Sequence, residues 1–446
     1  MSLIELDASA AAARLRTGEI RSEELVKACL DRIAAVDEQV QAWAFLDPEL
    51  ALRQARRADE AHRAGISLGT LHGLPVGIKD IIDTRDMPTE NGTVLLAGRR
   101  PTSDATLVAL LRQAGAVIMG KTVTTELAVY APGKSRNPHD HERTPGGSSS
   151  GSAAAVAAGM VPLALGTQTN GSVIRPAAFC GVYGYKPTHG SISRHGVLTQ
   201  SPPFDTVGVF GRGVSDLALL ADPLTVYDDR DSDMRPVGRP TLAGIAAEEP
   251  PLEPNFAFVK TPVWDKAESD TVAAFEELVG FLGERCDTVE LPAPFENAWR
   301  WHNSLMCADL AKNFHGLYER GKEQLSPILR SMLEEGQRCL AVDYNRALEW
   351  RGVLNSGLEE IFSRFDAILT PAAPGEAPLG LDSTGSPAFC TLWSYCGTPA
   401  VSLPLLRGGN GMPLGVQLVG RRGNDGRLLR TARWLARRIK ADLEET

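Results

Sequence analysis

Apolar positions in the first sixty residues recur at helical spacing. Asp7 precedes an alanine-rich run that it can cap, and Ser22 can cap a segment whose Leu25, Val26, Cys29 and Ile33 share one face. A third helix is predicted over 48–63, with Gly65 as its stop. After this the texture changes. LPVGIKDIID reads as a buried strand, DATLVALLRQAG as a helix ended by Gly115, and AVIMG as another strand. Such alternation predicts a sheet covered by helices. Residues 145–190 are the richest in Gly, Ser and Ala, yet they carry an apolar helix over 153–158 and a strand over 161–165, so they read as packed structure with tight turns. A Pro- and Asp-rich passage over 223–255 precedes helical patterns over 269–284 and 296–363. Strand texture returns in DAILTP, TPAVSLPL and LGVQLVG, and a helix over 427–443 closes the chain. Because these late strands resemble those near residue 75, the pattern predicts one α/β domain over 1–446. Its helical N-terminal segment (1–65) is joined to a core (66–446) whose mixed sheet is assembled from both ends of the chain, with helices on both faces.

Composition narrows the function. With 43% hydrophobic and 23% charged residues, disordered and collagen-like readings fail. A net charge of −9 supplies no basic excess for a dedicated nucleic-acid binder, although it leaves room for one cationic pocket. No stretch approaches the roughly 18 consecutive apolar residues of a membrane span, and the first residues lack a basic region followed by an apolar one, so the expected setting is cytoplasmic. Seven cysteines without a C-x-x-C pair argue against a disulfide framework or a structural zinc site.

Three motifs invite chemistry and lack its context. GAVIMGKT over 115–122 matches the phosphate-binding loop pattern with Lys121 as the ligand, but its variable positions are Ala-Val-Ile-Met, which read as the strand itself. GSSSG over 147–151 matches a nucleophile elbow with Ser149 attacking, but HERTPG, not a strand, precedes it, and His189, His195, His302 and His315 stand in no telling setting for a base. His139 and His141 form an H-x-H pair with no further ligands, so no catalytic metal is expected.

A fourth constellation is more coherent. Lys79 lies inside LPVGIKDII, where burial would lower its pKa and make a neutral amine available as a general base; a structural ion pair with Asp80 or Asp83 is the alternative. Downstream, PGGSSSGSAAA and GTQTNGSVIRP each place glycine before a serine, Ser148 and Ser172, where small residues let backbone N–H groups approach a ligand. A lysine, two serines and no usable histidine form a set suited to acyl transfer.

With these residues in place, the chain resembles the amidase signature family over nearly its whole length. The likeness is carried by LHGLPVGIKDIIDT, GAVIMGKTVTTELA, PGGSSSGSAAAVAAGMVPLALGTQTNGSVIRPAAFCGVYGYKPTHGSISRHGV, FDTVGVFGRGVSDLALL, YCGTPAVSLPL and PLGVQLVGRRG, with the signature region at 115–215. The resemblance implies a cofactor-independent amide hydrolase with a Ser-cisSer-Lys triad. By position, Lys79 matches the lysine, Ser148 the bridging serine with a cis peptide bond, and Ser172 the nucleophile; backbone N–H groups around Thr169, Asn170, Gly171 and Ser172 would hold the oxyanion. The sequence departs from the common pattern in three places. Gln168-Thr169-Asn170-Gly171-Ser172 replaces D-T-G-G-S, Ser150 takes a glycine position, and S-V-I-R-P places Arg175 three residues beyond Ser172, as in the malonamidase branch, where the matching arginine holds a substrate carboxylate. The expected partner is a small amide, with a carboxylate-bearing, malonamate-like one leading; ureido or biuret-type amides, aryl amides, and service as the amidase subunit of a tRNA-dependent amidotransferase are the alternatives. A homodimer is compatible with this reading, as is a family member that only binds.

Overall fold

Eleven strands form one sheet in the computed structural model, which describes residues 2–66, 68–238 and 241–445. They are β1 (Trp43–Leu46), β2 (Pro75–Lys79), β3 (Val117–Thr122), β4 (Leu163–Gln168), β5 (Tyr183–Lys186), β6 (Thr206–Gly211), β7 (Phe256–Val259), β8 (Cys286–Val289), β9 (Ala367–Pro371), β10 (Ala400–Arg407) and β11 (Pro413–Val419). Their spatial order is β1-β3-β2-β4-β6-β5-β10-β11-β9-β7-β8. Strand β2 runs parallel to β3 and β4, and β7 parallel to β8 and β9, while the strands between these groups pair antiparallel. The sheet is therefore mixed and built from both ends of the chain, as the sequence pattern predicts. β2, β3, β4 and β6 are buried along their full length, which is why their sequences read as continuous apolar or small-residue runs rather than alternating ones.

The N-terminal helices behave largely as read. Asp7 caps the helix Ala8–Thr17 by accepting from Ala10 N, and Gly65, at φ +67°, follows the helix Pro48–Arg63. Ser22 is not a cap. It is the first residue of the helix Ser22–Val40, its hydroxyl donates to Gly73 O, and Asp59 of the next helix accepts the N–H groups of Ser22 (2.7 Å) and Glu23 (3.0 Å). The predicted helix over 153–158 occupies Ser150–Ala157 and the strand over 161–165 becomes β4, a shift of two or three residues each. The long pattern over 296–363 divides into the helices Ala298–Asn313, His315–Gly321, Pro327–Gly336 and Ala341–Phe362. Pro327 can only begin a helix, and Ser326 before it accepts from Leu329 N (3.3 Å). The closing helix runs Asp425–Glu445. No helix among the described residues is long and apolar enough to cross a membrane.

Candidate active site

Lys79 ends β2, fully buried. Its Nζ lies 2.7 Å from Ser148 Oγ and 2.8 Å from Thr167 Oγ1 of the neighbouring strand β4, so both of its contacts are hydroxyls. The structural ion pair is not made: Asp80 lies 3.4 Å from Lys121, and Asp83 pairs with Arg99 at 2.7 Å. Desolvation with no bonded anion holds the Lys79 ammonium well below the usual lysine range, opposed by the charge of nearby Asp205. Asp205 is itself raised to about 6 by burial, although the Thr169 hydroxyl and the N–H groups of Gln200 and Ser201 favour its charged form.

The Gly147–Ser148 peptide bond is cis. Gly147 is required there because a Cβ would stand 2.7 Å from Thr384 Cγ2. The turn enters the helix Ser150–Ala157 through Ser149, whose N–H donates to Ser172 O at 3.3 Å and whose hydroxyl is stitched to β4 by bonds to Thr167 O and Thr167 N, both 3.2 Å. An elbow needs a free hydroxyl at the end of a strand, and Ser149 has neither the freedom nor the strand.

Ser172 sits in the turn between β4 and the helix Ile174–Cys180, and it is 8% exposed where Lys79 and Ser148 are fully covered. Gln168, which stands where the resemblance has an acid, supports this turn: its Oε1 accepts the N–H groups of Val173 (2.8 Å) and Ile174 (3.0 Å), and its Nε2 donates to Ser394 Oγ (2.9 Å). A neutral amide thus performs the N-terminal cap for which a carboxylate is the more common residue. Asn170 is pinned at both ends of its side chain, accepting from Thr391 Oγ1 (2.8 Å) and donating to Tyr130 OH (2.9 Å). Gly171 admits no side chain, since a Cβ would lie 2.9 Å from Pro387 Cβ and 3.2 Å from Cys390 Cβ. Thr169 Oγ1 lies 2.7 Å from Gln200 Oε1 and 2.6 Å from Asp205 Oδ1, and its carbonyl faces His302 Nε2 at 3.0 Å. Burial lowers His302 to about 4, which leaves a neutral ring stacked on Phe204. Among the described residues, no carbonyl accepts from the backbone N–H of Asn170, Gly171 or Ser172. Three adjacent free donors at a small-residue turn are the groups an oxyanion needs.

Arg175 is buried below this turn. Its Nη1 donates to Gly385 O (2.9 Å), its Nη2 to Gly147 O (2.7 Å) and Thr384 Oγ1 (3.1 Å), and its buried Nε has no partner. The guanidinium therefore braces the carbonyl of the cis peptide against the loop that packs on it.

The structure brings together Lys79, Ser148, Thr169, Asn170, Gly171, Ser172 and Arg175. It keeps Lys121 apart, within strand β3, where Nζ donates to Ile82 O (2.7 Å) and Thr89 Oγ1 (2.6 Å), so no phosphate-cradling loop exists at 115–122. Sequence reasoning missed Thr167, Gln168 and Asp205 as members of the site. Their signal was present in GTQTNGS and FDT, but nothing local says that Thr167 faces Lys79 across two paired strands. The group 139–141 gathers no further ligand, and among the described residues no three His, Cys, Asp or Glu side chains could hold a metal.

A family model described as Amidase matches residues 24–429. The chain is 35% identical to the amidase-family subunit of the glutamyl-tRNA(Gln) amidotransferase of Chloroflexus aggregans, across 95% of this chain and 94% of that one. In three dimensions it matches a chain from a study of a vestigial protein complex and the evolutionary origins of an s-triazine catabolic enzyme (TM-score 0.90, 26% identity, 98% of each chain). It also matches the native peptide amidase of Stenotrophomonas maltophilia (TM-score 0.84, 29% identity, 98% of this chain and 97% of that one).

Proposed function

The chain belongs to the amidase signature family of amide hydrolases, and from that premise we propose that it cleaves a small amide to a carboxylate and ammonia or an amine through an acyl-enzyme on Ser172. The observation that carries this reading is the buried Lys79 Nζ set between two hydroxyls with no bonded acid. A neutral amine has two N–H groups and one lone pair. Donation to Thr167 Oγ1 aims that lone pair at Ser148, which can then pass its proton to Lys79 as it accepts one from Ser172.

In the first half-reaction Ser172 Oγ bonds to the carbonyl carbon, its proton moves to Ser148 Oγ, and the Ser148 proton moves to Lys79 Nζ. The oxyanion is held by the free N–H groups at 170–172, each worth about 3–4 kcal/mol in the transition state. As the C–N bond breaks, the proton returns from Lys79 through Ser148 to the departing nitrogen. Water then attacks the acyl carbon, the same relay takes its proton, and Ser172 leaves with its hydroxyl restored.

On this reading Arg175 is a positioning residue, since both of its terminal nitrogens are already committed to carbonyls that hold the turns of Ser148. Arg175→Ala should lower kcat on malonamate-like and neutral amides of equal size alike, by about 1.5–3 kcal/mol for the lost charge-assisted bonds, with KM little changed. A loss confined to the acidic amide would instead restore the role of carboxylate holder.

The second reading, service within an amidotransferase, is favoured by the 35% identity to one component of such an enzyme. Ammonia release from a panel of small amides by the purified chain alone separates the two. Turnover without any partner supports the free amidase, and glutamine turnover that requires an added partner protein supports the other.

A further inference from the structure

A cavity of about 900 Å³ opens between the helix Ala341–Phe362 and the loops at 188–191, 225–238 and 422–425, and no member of the proposed triad lines it. Three arginines reach it: Arg351 from the helix, Arg422 and Arg235 from the loops. Arg351 is the unusual one. Its Nε and Nη2 are buried and have no hydrogen-bond partner, and the guanidinium lies so close over Gly397 that a Cβ there would be 2.4 Å from Nη2. An unpartnered cation withdrawn from water is unfavourable, so something outside the chain is expected to complete it.

The acids on the cavity wall do not serve. Asp425 accepts from Tyr185 OH (2.6 Å), Thr188 N (2.7 Å) and Thr188 Oγ1 (2.6 Å). Asp233 is paired with Arg194 at 2.5 Å and Glu359 with Arg421 at 2.6 Å. The remaining cations repel one another: Arg351 is lowered to about 10 by burial and then by Arg422, and Arg422 is lowered by burial, with Arg235 adding to it. In a chain of net charge −9, three arginines without an ion-pair partner among the described residues mark a local reversal of sign.

We propose that this cavity binds a small organic anion through a carboxylate or phosphate group held by Arg351, Arg422 and Arg235. A planar guanidinium presents a fork that either oxyanion fits. The volume is far larger than a lone inorganic ion, within the usual range for small-molecule sites, and Tyr227, Met234, Val237 and Leu348 supply apolar wall for a carbon skeleton.

The test is calorimetric titration of the full chain with pyrophosphate and, separately, with citrate, at ionic strength held constant with sodium chloride. The expected result is saturable one-site binding of at least one probe, weakened tenfold or more in both Arg351→Gln and Arg422→Gln. Binding of pyrophosphate alone assigns the site to phosphate, of citrate alone to carboxylate, and of both to their common oxyanion geometry. Should Arg351→Gln fail to fold, Arg422→Gln, whose side chain is at the surface, carries the test by itself. Absence of saturable binding by either probe, or equal affinity in wild type and Arg422→Gln, overturns the proposal.

Discussion

At the scale of single residues, the account turns on the ionisation of Lys79. Burial depresses its pKa, so the protonated, inactive amine accumulates only at lower pH than for an ordinary lysine, and activity should rise with pH through that depressed value to a plateau. Asp205 acts in the opposite sense, raising the Lys79 pKa when charged. Asp205→Asn removes the anion while keeping a hydrogen-bonding side chain of nearly the same shape, and the acid limb of kcat/KM should move to lower pH. A limb that moves to higher pH, or does not move, contradicts the assignment of that limb to Lys79. Lys79→Met keeps the volume and removes the base. We expect a fall of about a hundred- to ten-thousandfold in kcat with the fold retained by circular dichroism, whereas a merely structural lysine would show lost stability with activity preserved in the folded fraction. Lys79 was legible in the sequence because an apolar run encloses it. Its neutrality was not, because that depends on Asp80 and Asp83 having partners, Lys121 and Arg99, that only the fold supplies.

At the scale of elements, the proposed catalytic serines are placed by backbones that approach too closely for any side chain. Gly151, in the first turn of the helix Ser150–Ala157, shows this best: a Cβ would meet Ala42 O at 2.3 Å and Val123 N at 2.4 Å, both backbone atoms that cannot swing aside. Gly151→Ala should therefore cost about 1–3 kcal/mol of stability in denaturant titrations and lower activity by tilting the turn that carries Ser148. Unchanged stability would mean that the helix is freer than its packing indicates. Elements with a clear period, such as the helix Pro48–Arg63 and strands β2, β3, β10 and β11, could be read from the chain. The four-residue strands β1, β5, β7 and β8 span only two pleats, too few for alternation to register, and the helical pattern after residue 296 hides its breaks at Gly321 and Pro327.

At the scale of the whole molecule, strands from residues 43–211 and from residues 256–419 share one sheet, and the late strand β10 pairs directly with β5. This interleaving supports a single folding unit over 1–446. Unfolding followed by far-ultraviolet dichroism and by the fluorescence of tryptophans as distant as Trp43 and Trp393 should give coincident transitions; two separated midpoints would divide the chain into domains. The same interleaving explains why the support of the site could not be read locally: Gln168 meets Ser394, and Arg175 meets Thr384 and Gly385, only because β10 and the helix before it return to the middle of the sheet. The identity of the nucleophile, on which every step above depends, is open to one direct measurement. The purified chain is treated with a serine-directed sulfonyl fluoride and the modified peptide is sequenced by mass spectrometry, in wild type, Ser172→Ala and Ser149→Ala. The account predicts one adduct on Ser172, lost with all turnover in Ser172→Ala and retained in Ser149→Ala; an adduct that survives in Ser172→Ala and disappears in Ser149→Ala would contradict it.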